Sequence, residues 1–141
     1  SKLNILLAMP DEKLAIFQQL KTKTKLAYSP YSHIKVACLL EDHQGRREWG
    51  VNVENSSYGV TVCAERTALG NFITQWGVAT IVKVYLFSPQ IDFILPCGSC
   101  RQALVEHQNH HFPTTVITFE QNGNNKQYLM TELLPHKFTI N

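Results

Sequence analysis

Thr80-Ile81-Val82-Lys83-Val84-Tyr85-Leu86-Phe87 is the stretch on which the fold turns. Its β-branched and aromatic residues read as a strand. Helical segments flank it. Upstream, Cys63 to Trp76 reads as a helix closed by Gly77. Downstream, Cys97 to about Gln108 reads as another, preceded by Pro96. Beyond that, Thr114 to Phe119 is a strand, Asn122-Gly123 a tight turn, and Lys126 to Leu129 its partner or a return. Residues 131 to 134 make one helical turn before Pro135. Toward the other end, His33 to Leu40 reads as a buried strand, Asp42-His43-Gln44-Gly45 as a turn and Arg47 to Glu54 as an alternating strand, which together make a hairpin. Tyr28 to Ser32 is a break. Residues from about 10 to 26 look helical: Pro10 suits a first turn, Asp11 and Glu12 follow, and Leu14, Phe17 and Leu20 recur at helical spacing. After that opening helix the order β-β-α-β-α-β-β predicts a mixed sheet with helices packed on its faces.

The bulk properties exclude several classes of function. The chain has 141 residues, 44% hydrophobic and 17% charged, which describes one globular domain, residues 1–141, able to bury a sizeable core. No apolar stretch approaches the ~20 residues of a membrane-spanning helix. The opening Ser1 to Met9 is too short for a secretory apolar region and lacks a small-residue cleavage site, so a cytoplasmic protein is expected. A net charge of +2 is weak for a nucleic-acid binder. The basic run Lys21-Thr22-Lys23-Thr24-Lys25 reads as a solvated helix end, with cations placed favourably at a C-terminus. Four cysteines are present, Cys38, Cys63, Cys97 and Cys100, and a chain with this core does not need disulfides, so free thiols or a metal site are expected. Cys38 lies in an apolar strand and reads as a core residue. The histidines show no ligand spacing; His107, His110 and His111 read as surface residues.

The chemistry is concentrated in Cys63-Ala64-Glu65-Arg66 and Pro96-Cys97-Gly98-Ser99-Cys100-Arg101-Gln102. Two cysteines opening one helix and a third opening another can give three ligands to one zinc ion, with the fourth position left for water, which is the catalytic form of a zinc site. The pattern of a cysteine or histidine, a glutamate two residues on, and Pro-Cys-x-x-Cys is the signature given for zinc deaminases. Zinc lowers the pKa of a bound water to near ~7, and Glu65 is placed to move the proton released. Mid-helix, Cys63 and Glu65 would point to opposite sides, so they converge only over a helix N-terminus. Three thiolates with Zn²⁺ leave a net charge of −1. Arg66 and Arg101 each follow a site residue and are expected to hydrogen-bond ligand sulfurs and draw that charge off. Val51-Asn52-Val53-Glu54 alternates, so its two polar side chains share one face while the valines face the core. The residues alone leave an ordinary solvated strand face equally open there.

On these stretches, and on Tyr28-Ser29-Pro30-Tyr31-Ser32-His33, Asn52 to Gly59 and Glu132-Leu133-Leu134-Pro135, the chain closely resembles the cytidine deaminase family of the short, homotetrameric type. The resemblance implies a three-layer α/β/α sandwich with a five-stranded mixed sheet and helices on both faces. It implies zinc held by Cys63, Cys97 and Cys100, Glu65 as proton shuttle, and Asn52, Glu54, Tyr58, Ala64 and Phe138 as substrate-binding residues. Asn52 and Glu54 would hold the ribose, and Tyr58 and Phe138 would reach across subunit interfaces. The implied substrate is a small-molecule nucleoside, cytidine or deoxycytidine, with no nucleic-acid or membrane partner. Ile34 stands where relatives carry phenylalanine and Ala37 where they carry glycine, departures expected to reshape the nucleoside pocket. Two rivals share the motif: a deaminase of a modified aminonucleoside such as a blasticidin-type antibiotic, and a deaminase of RNA or DNA bases, against which the modest charge speaks. A non-enzymatic zinc module would have no use for Glu65.

Overall fold

The computed structural model describes residues 12–78 and 80–140. The opening apolar patch, Pro10 and Asp11 lie outside the described residues. In chain order the elements are α1 (Glu12–Thr24), β1 (Ala37–Asp42), β2 (Arg47–Val51), a 3-10 turn (Tyr58–Val60), α2 (Ala64–Trp76), β3 (Ile81–Phe87), α3 (Gly98–Val105), β4 (Thr115–Phe119), β5 (Asn125–Leu129) and α4 (Met130–Leu133). The strands form one sheet in the order β2-β1-β3-β4-β5. β3 and β4 are parallel, and the other neighbours are antiparallel. A parallel pair cannot be joined by a tight turn, and α3 lies in the crossover between them.

Strand side chains alternate between faces, and that period builds two cores. Val84 and Leu86 of β3, with Cys38 and Leu40 of β1, pack against Ala64, Ala68 and Phe72 of α2 and Leu104 of α3. Tyr85 and Phe87, with Ala37 and Leu39, turn the other way and meet Ile16, Phe17 and Leu20 of α1. The result is the expected three-layer arrangement, with α1 on one face and α2 and α3 on the other. Among the described residues no helix is long and apolar enough to cross a membrane.

The hairpin differs from its sequence reading at both ends. The first strand begins at Ala37 rather than His33, because His33 adopts a positive φ of 60°. The backbone through Ile34 and Val36 is instead held by the Asn52 side chain. The second strand stops at Val51; beyond it Val53 makes only isolated bridges to Tyr28 and Val62 and is exposed, so it does not face the core. The third helix ends at Val105 rather than near Gln108. Ala37 is a further correction. Its methyl is buried on the α1 face, away from α2, so it alters the far core and not a pocket on the α2 side.

Gly50 sets how closely α2 approaches the sheet. A Cβ there would lie 2.2 Å from Ala68 N and 2.5 Å from the Ala64 carbonyl oxygen. Its partner across the strand pair is Cys38, another small residue of the same core. The first two turns of α2 therefore rest directly on β2 backbone, and this contact fixes the depth of the helix N-terminus. Gly50→Ala is expected to destabilise the protein by about 3 kcal/mol, the upper end of the overpacking range, since backbone rather than a flexible side chain must yield. Urea denaturation checks this; an unshifted midpoint would contradict the close contact.

Candidate active site

Cys63 is the N-cap of α2 and Cys97 the N-cap of α3. In each, the carbonyl accepts the first hydrogen bond of its helix, from Thr67 N and Arg101 N, while the side chain makes no capping bond to the helix. The sulfurs are thus free to point off the helix ends. Cys100, in the first turn of α3, completes a trio whose Sγ atoms all lie within 4.8 Å of one another, with Cys63 and Cys97 at 4.0 Å. Sulfurs around tetrahedral zinc at ~2.3 Å stand ~3.8 Å apart, so the trio fits the ion with little movement. All four cysteines are free, and Cys38 is buried in the core as expected.

The charges suit a cation. Cys63 is pulled down to about 5, chiefly by a hydrogen bond from Cys100, helped by Arg66 and Cys97 and opposed by burial. Cys100 is pushed well up, first by that same shared bond and then by burial. A thiolate at a helix N-terminus is also favoured by the helix dipole. Glu65 is the second residue of α2 and only 5% exposed. Burial pushes its carboxyl up to about 7, and the Cys63 thiolate adds to the rise; its own backbone N–H, Cys100 and Arg66 oppose it. The carboxyl reaches the Cys100 sulfur. Glu65 and Cys63 therefore do converge over a helix tip.

The two arginines part company. Arg66 lies beside the Cys63 and Cys100 sulfurs, Cys63 foremost, which favour its charged form, and it donates from Nη2 to the Thr61 carbonyl at 3.2 Å, while its buried Nε finds no partner among the described residues. Arg101 donates instead to two carbonyls, from Nε to Pro96 at 2.7 Å and from Nη1 to Leu133 at 2.8 Å. The expectation that Arg101 bonds a ligand sulfur is corrected: its guanidinium turns toward α4 and ties that helix to the loop before Cys97.

Asn52 is 8% exposed, and its side-chain amide is engaged with backbone. Oδ1 accepts from Val36 N at 2.8 Å, and Nδ2 donates to the Ile34 carbonyl at 2.8 Å. Glu54 accepts from Tyr31 N at 3.0 Å, from Ser32 N at 3.1 Å and from the Ser32 hydroxyl. These bonds, the Ser32 hydroxyl foremost, hold its carboxyl below the usual range. Glu54 lines a cavity of about 320 Å³ with Tyr31, Ser32, Asn55, Tyr58 and Thr61. Tyr58 is 80% exposed and Phe138 72% exposed, while Ala64 is fully buried and presents no surface to a ligand in the single chain. Ile34 packs against the core on the α2 side. Sequence reasoning gave no role to Ser32, which links Glu54 to Ile34 N, or to Gln102, which pairs with Phe138. Both sit inside quoted motifs, but contacts over such sequence distances leave no local periodicity to read.

The family model described as the cytidine and deoxycytidylate deaminase zinc-binding region matches residues 10–116. The chain belongs to this deaminase family. Cytidine deaminase of Mycoplasma pneumoniae is 37% identical over 124 residues, covering 87% of this chain and 91% of that protein. The crystal structure of cytidine deaminase from Burkholderia pseudomallei superposes with a TM-score of 0.78 at 30% identity, covering 92% of this chain and 100% of that one. Blasticidin-S deaminase of Bacillus cereus is more distant, 28% identical over 138 residues, covering 93% of this chain and 95% of that protein. As in the rest of the family, the cofactor is zinc, and Cys63, Cys97 and Cys100 form the site that suits it.

Arg66→Gln is expected to weaken zinc retention or activity by about 10–100-fold, as loss of a group beside a metal ligand does. Arg101→Gln should cost distinctly less in zinc retention. Competition against a chelator measures both; equal losses would mean that bracing Pro96 matters as much as touching the sulfurs.

Proposed function

We propose that the chain catalyses hydrolytic deamination of cytidine and deoxycytidine, taking up water and releasing ammonia with uridine or deoxyuridine. The observation that carries this reading is a buried carboxyl, Glu65, in contact with a three-sulfur cluster at two helix tips. The cytidine deaminases among its relatives support the substrate class, a pyrimidine nucleoside. Cys63, Cys97 and Cys100 would hold the zinc, which would supply a Lewis acid able to make water acidic at neutral pH. The remaining steps belong to the protein. Glu65 accepts the proton of the attacking water and delivers it to N3 of the cytosine ring. Hydroxide adds to C4, and Glu65 then carries the proton of that new C4 hydroxyl to the 4-amino group, so that the C4–N bond breaks, ammonia leaves and the C4 carbonyl of the product forms. Burial, which raises the proton affinity of the Glu65 carboxyl above that of an ordinary glutamate, suits that work, because it brings a carboxyl closer to exchanging a proton at neutral pH. Arg66 draws negative charge from the Cys63 and Cys100 sulfurs and so keeps the site acidic.

For the sugar, Asn52 keeps one Nδ2 hydrogen beyond its backbone bond, and the Glu54 carboxylate keeps acceptor capacity beyond its three bonds to Tyr31 and Ser32. Both side chains are fixed in place by those bonds, which supports their reading as a rigid ribose clamp. A sugar hydroxyl that bonds the spare acceptor capacity of Glu54 adds an interaction that a ligand without that hydroxyl cannot make. That clamp favours cytidine over a blasticidin-type antibiotic. The exposed Tyr58 and Phe138 support a homotetramer in which neighbouring copies complete each other's sites, with Phe138 stacking on the base. We read residues 1–141 as one catalytic domain and the protein as cytoplasmic, acting on free nucleosides and on neither nucleic acid nor membranes.

Ultraviolet monitoring of cytidine deamination tests the reaction. Glu65→Ala is expected to lower kcat by at least about 10²–10⁴-fold while zinc stays stoichiometric. Activity surviving in that variant would remove the proton shuttle. Removal of zinc by a chelator should abolish turnover, and its return restore it. Free cytosine should be turned over far more slowly than cytidine; comparable rates would contradict the roles given to Asn52 and Glu54.

A further inference from the structure

We propose that Gln102 is the positioning residue for Phe138, setting the ring at the angle and height from which it stacks on the nucleobase. The inference rests on the reading of Phe138 as a base-stacking residue in a neighbouring copy's site. The segment after α4 has no regular secondary structure through residue 140. Its backbone therefore lacks a helical or strand ladder to hold a side chain in one direction. At Phe138 the Gln102 amide takes that place. Gln102 Nε2 donates to the Phe138 carbonyl at 3.1 Å, and its Oε1 accepts from Phe138 N at 3.0 Å.

Two bonds to the N–H and C=O of one residue fix more than position. They orient the peptide planes on both sides of the Cα, and hence the direction of the Cα–Cβ bond. The ring itself is 72% exposed, so packing within the single chain does little to orient it. Only a primary amide can donate and accept in this paired way; a carboxylate would repel the carbonyl, and an apolar side chain would leave both groups unmet. Gln102 follows Cys100 by two residues on α3, and Arg101 between them holds the Leu133 carbonyl in α4. The ring is thereby referenced to the same helical turn that presents a zinc ligand. A ring ordered before substrate arrives spares the ordering cost on binding. The effect should fall on KM.

The test compares cytidine kinetics of Gln102→Met, Phe138→Ala and the double variant, together with zinc content and hydrogen exchange at the Phe138 amide. Methionine keeps the length of glutamine and removes both bonds. Gln102→Asn keeps the amide but falls one methylene short, and should match it. Phe138→Ala is expected to raise KM about tenfold, the size of a lost base–aromatic stack. Gln102→Met should raise KM about fivefold with kcat and zinc content held, speed exchange at Phe138, and add nothing in the Phe138→Ala background. If Gln102→Met costs the same factor in both backgrounds, or lowers kcat together with zinc content, Gln102 acts through α3 and not through Phe138, and the proposal is overturned while the stacking reading stands. If Phe138→Ala leaves KM unchanged, the stacking reading itself falls, and this inference with it.

Discussion

Two helix N-termini meet nose to nose, and the three sulfurs at their tips occupy a space that one cation fills. Everything else in the molecule serves that meeting. A helix end carries unsatisfied N–H groups and partial positive charge, which stabilise thiolates and make the N-cap a good place for a ligand. It also opens the helical screw, so that residues two apart can address one point. That is how Glu65 comes to lie against the cluster to which Cys63 belongs. The price is burial: Glu65 is enclosed, and desolvation outweighs the backbone N–H, Cys100 and Arg66 that favour its charged form, so its proton affinity rises.

The sheet holds the two tips in register. β3 is central, covered on both faces, and its alternating side chains commit α2 and α3 to one side and α1 to the other. The depth of α2 is fixed by Gly50, where helix and strand backbones touch, and by the small residues Cys38, Ala64 and Ala68 around it. Cys97 and Cys100 are held separately, through the Pro96 carbonyl and α4, by Arg101. The site is therefore clamped from two directions that share no residue.

Polar side chains near the site do more structural work than their positions along the chain suggest. Asn52 substitutes for strand pairing along Ile34 and Val36. Glu54 closes the turn at Tyr31 and Ser32. Each makes a fold-maintaining contact, and each also retains hydrogen-bonding capacity that those bonds leave unused. On the proposed reading of Asn52 and Glu54 as a ribose clamp, rigidity and recognition come from the same groups, because a side chain already fixed by backbone bonds loses no further rotamer freedom when a ligand arrives.

The order of strands and helices, the two helix-opening cysteine motifs and the burial of Cys38 were legible in the sequence, because each rests on local period, capping or spacing. Cys63, Glu65, Cys97 and Cys100 belong to that legible part, since side-chain types at fixed offsets from a helix start are a local signal. Tertiary structure alone decided where the first strand begins, that Val53 is exposed, that Ala37 faces away from the site, and that Arg66 meets the sulfurs while Arg101 turns to Pro96 and Leu133. It alone showed the bonds of Ser32 with Glu54 and of Gln102 with Phe138. Those outcomes depend on which groups compete for the same backbone donors and acceptors once distant segments are brought together, a competition that no run of neighbouring residues encodes.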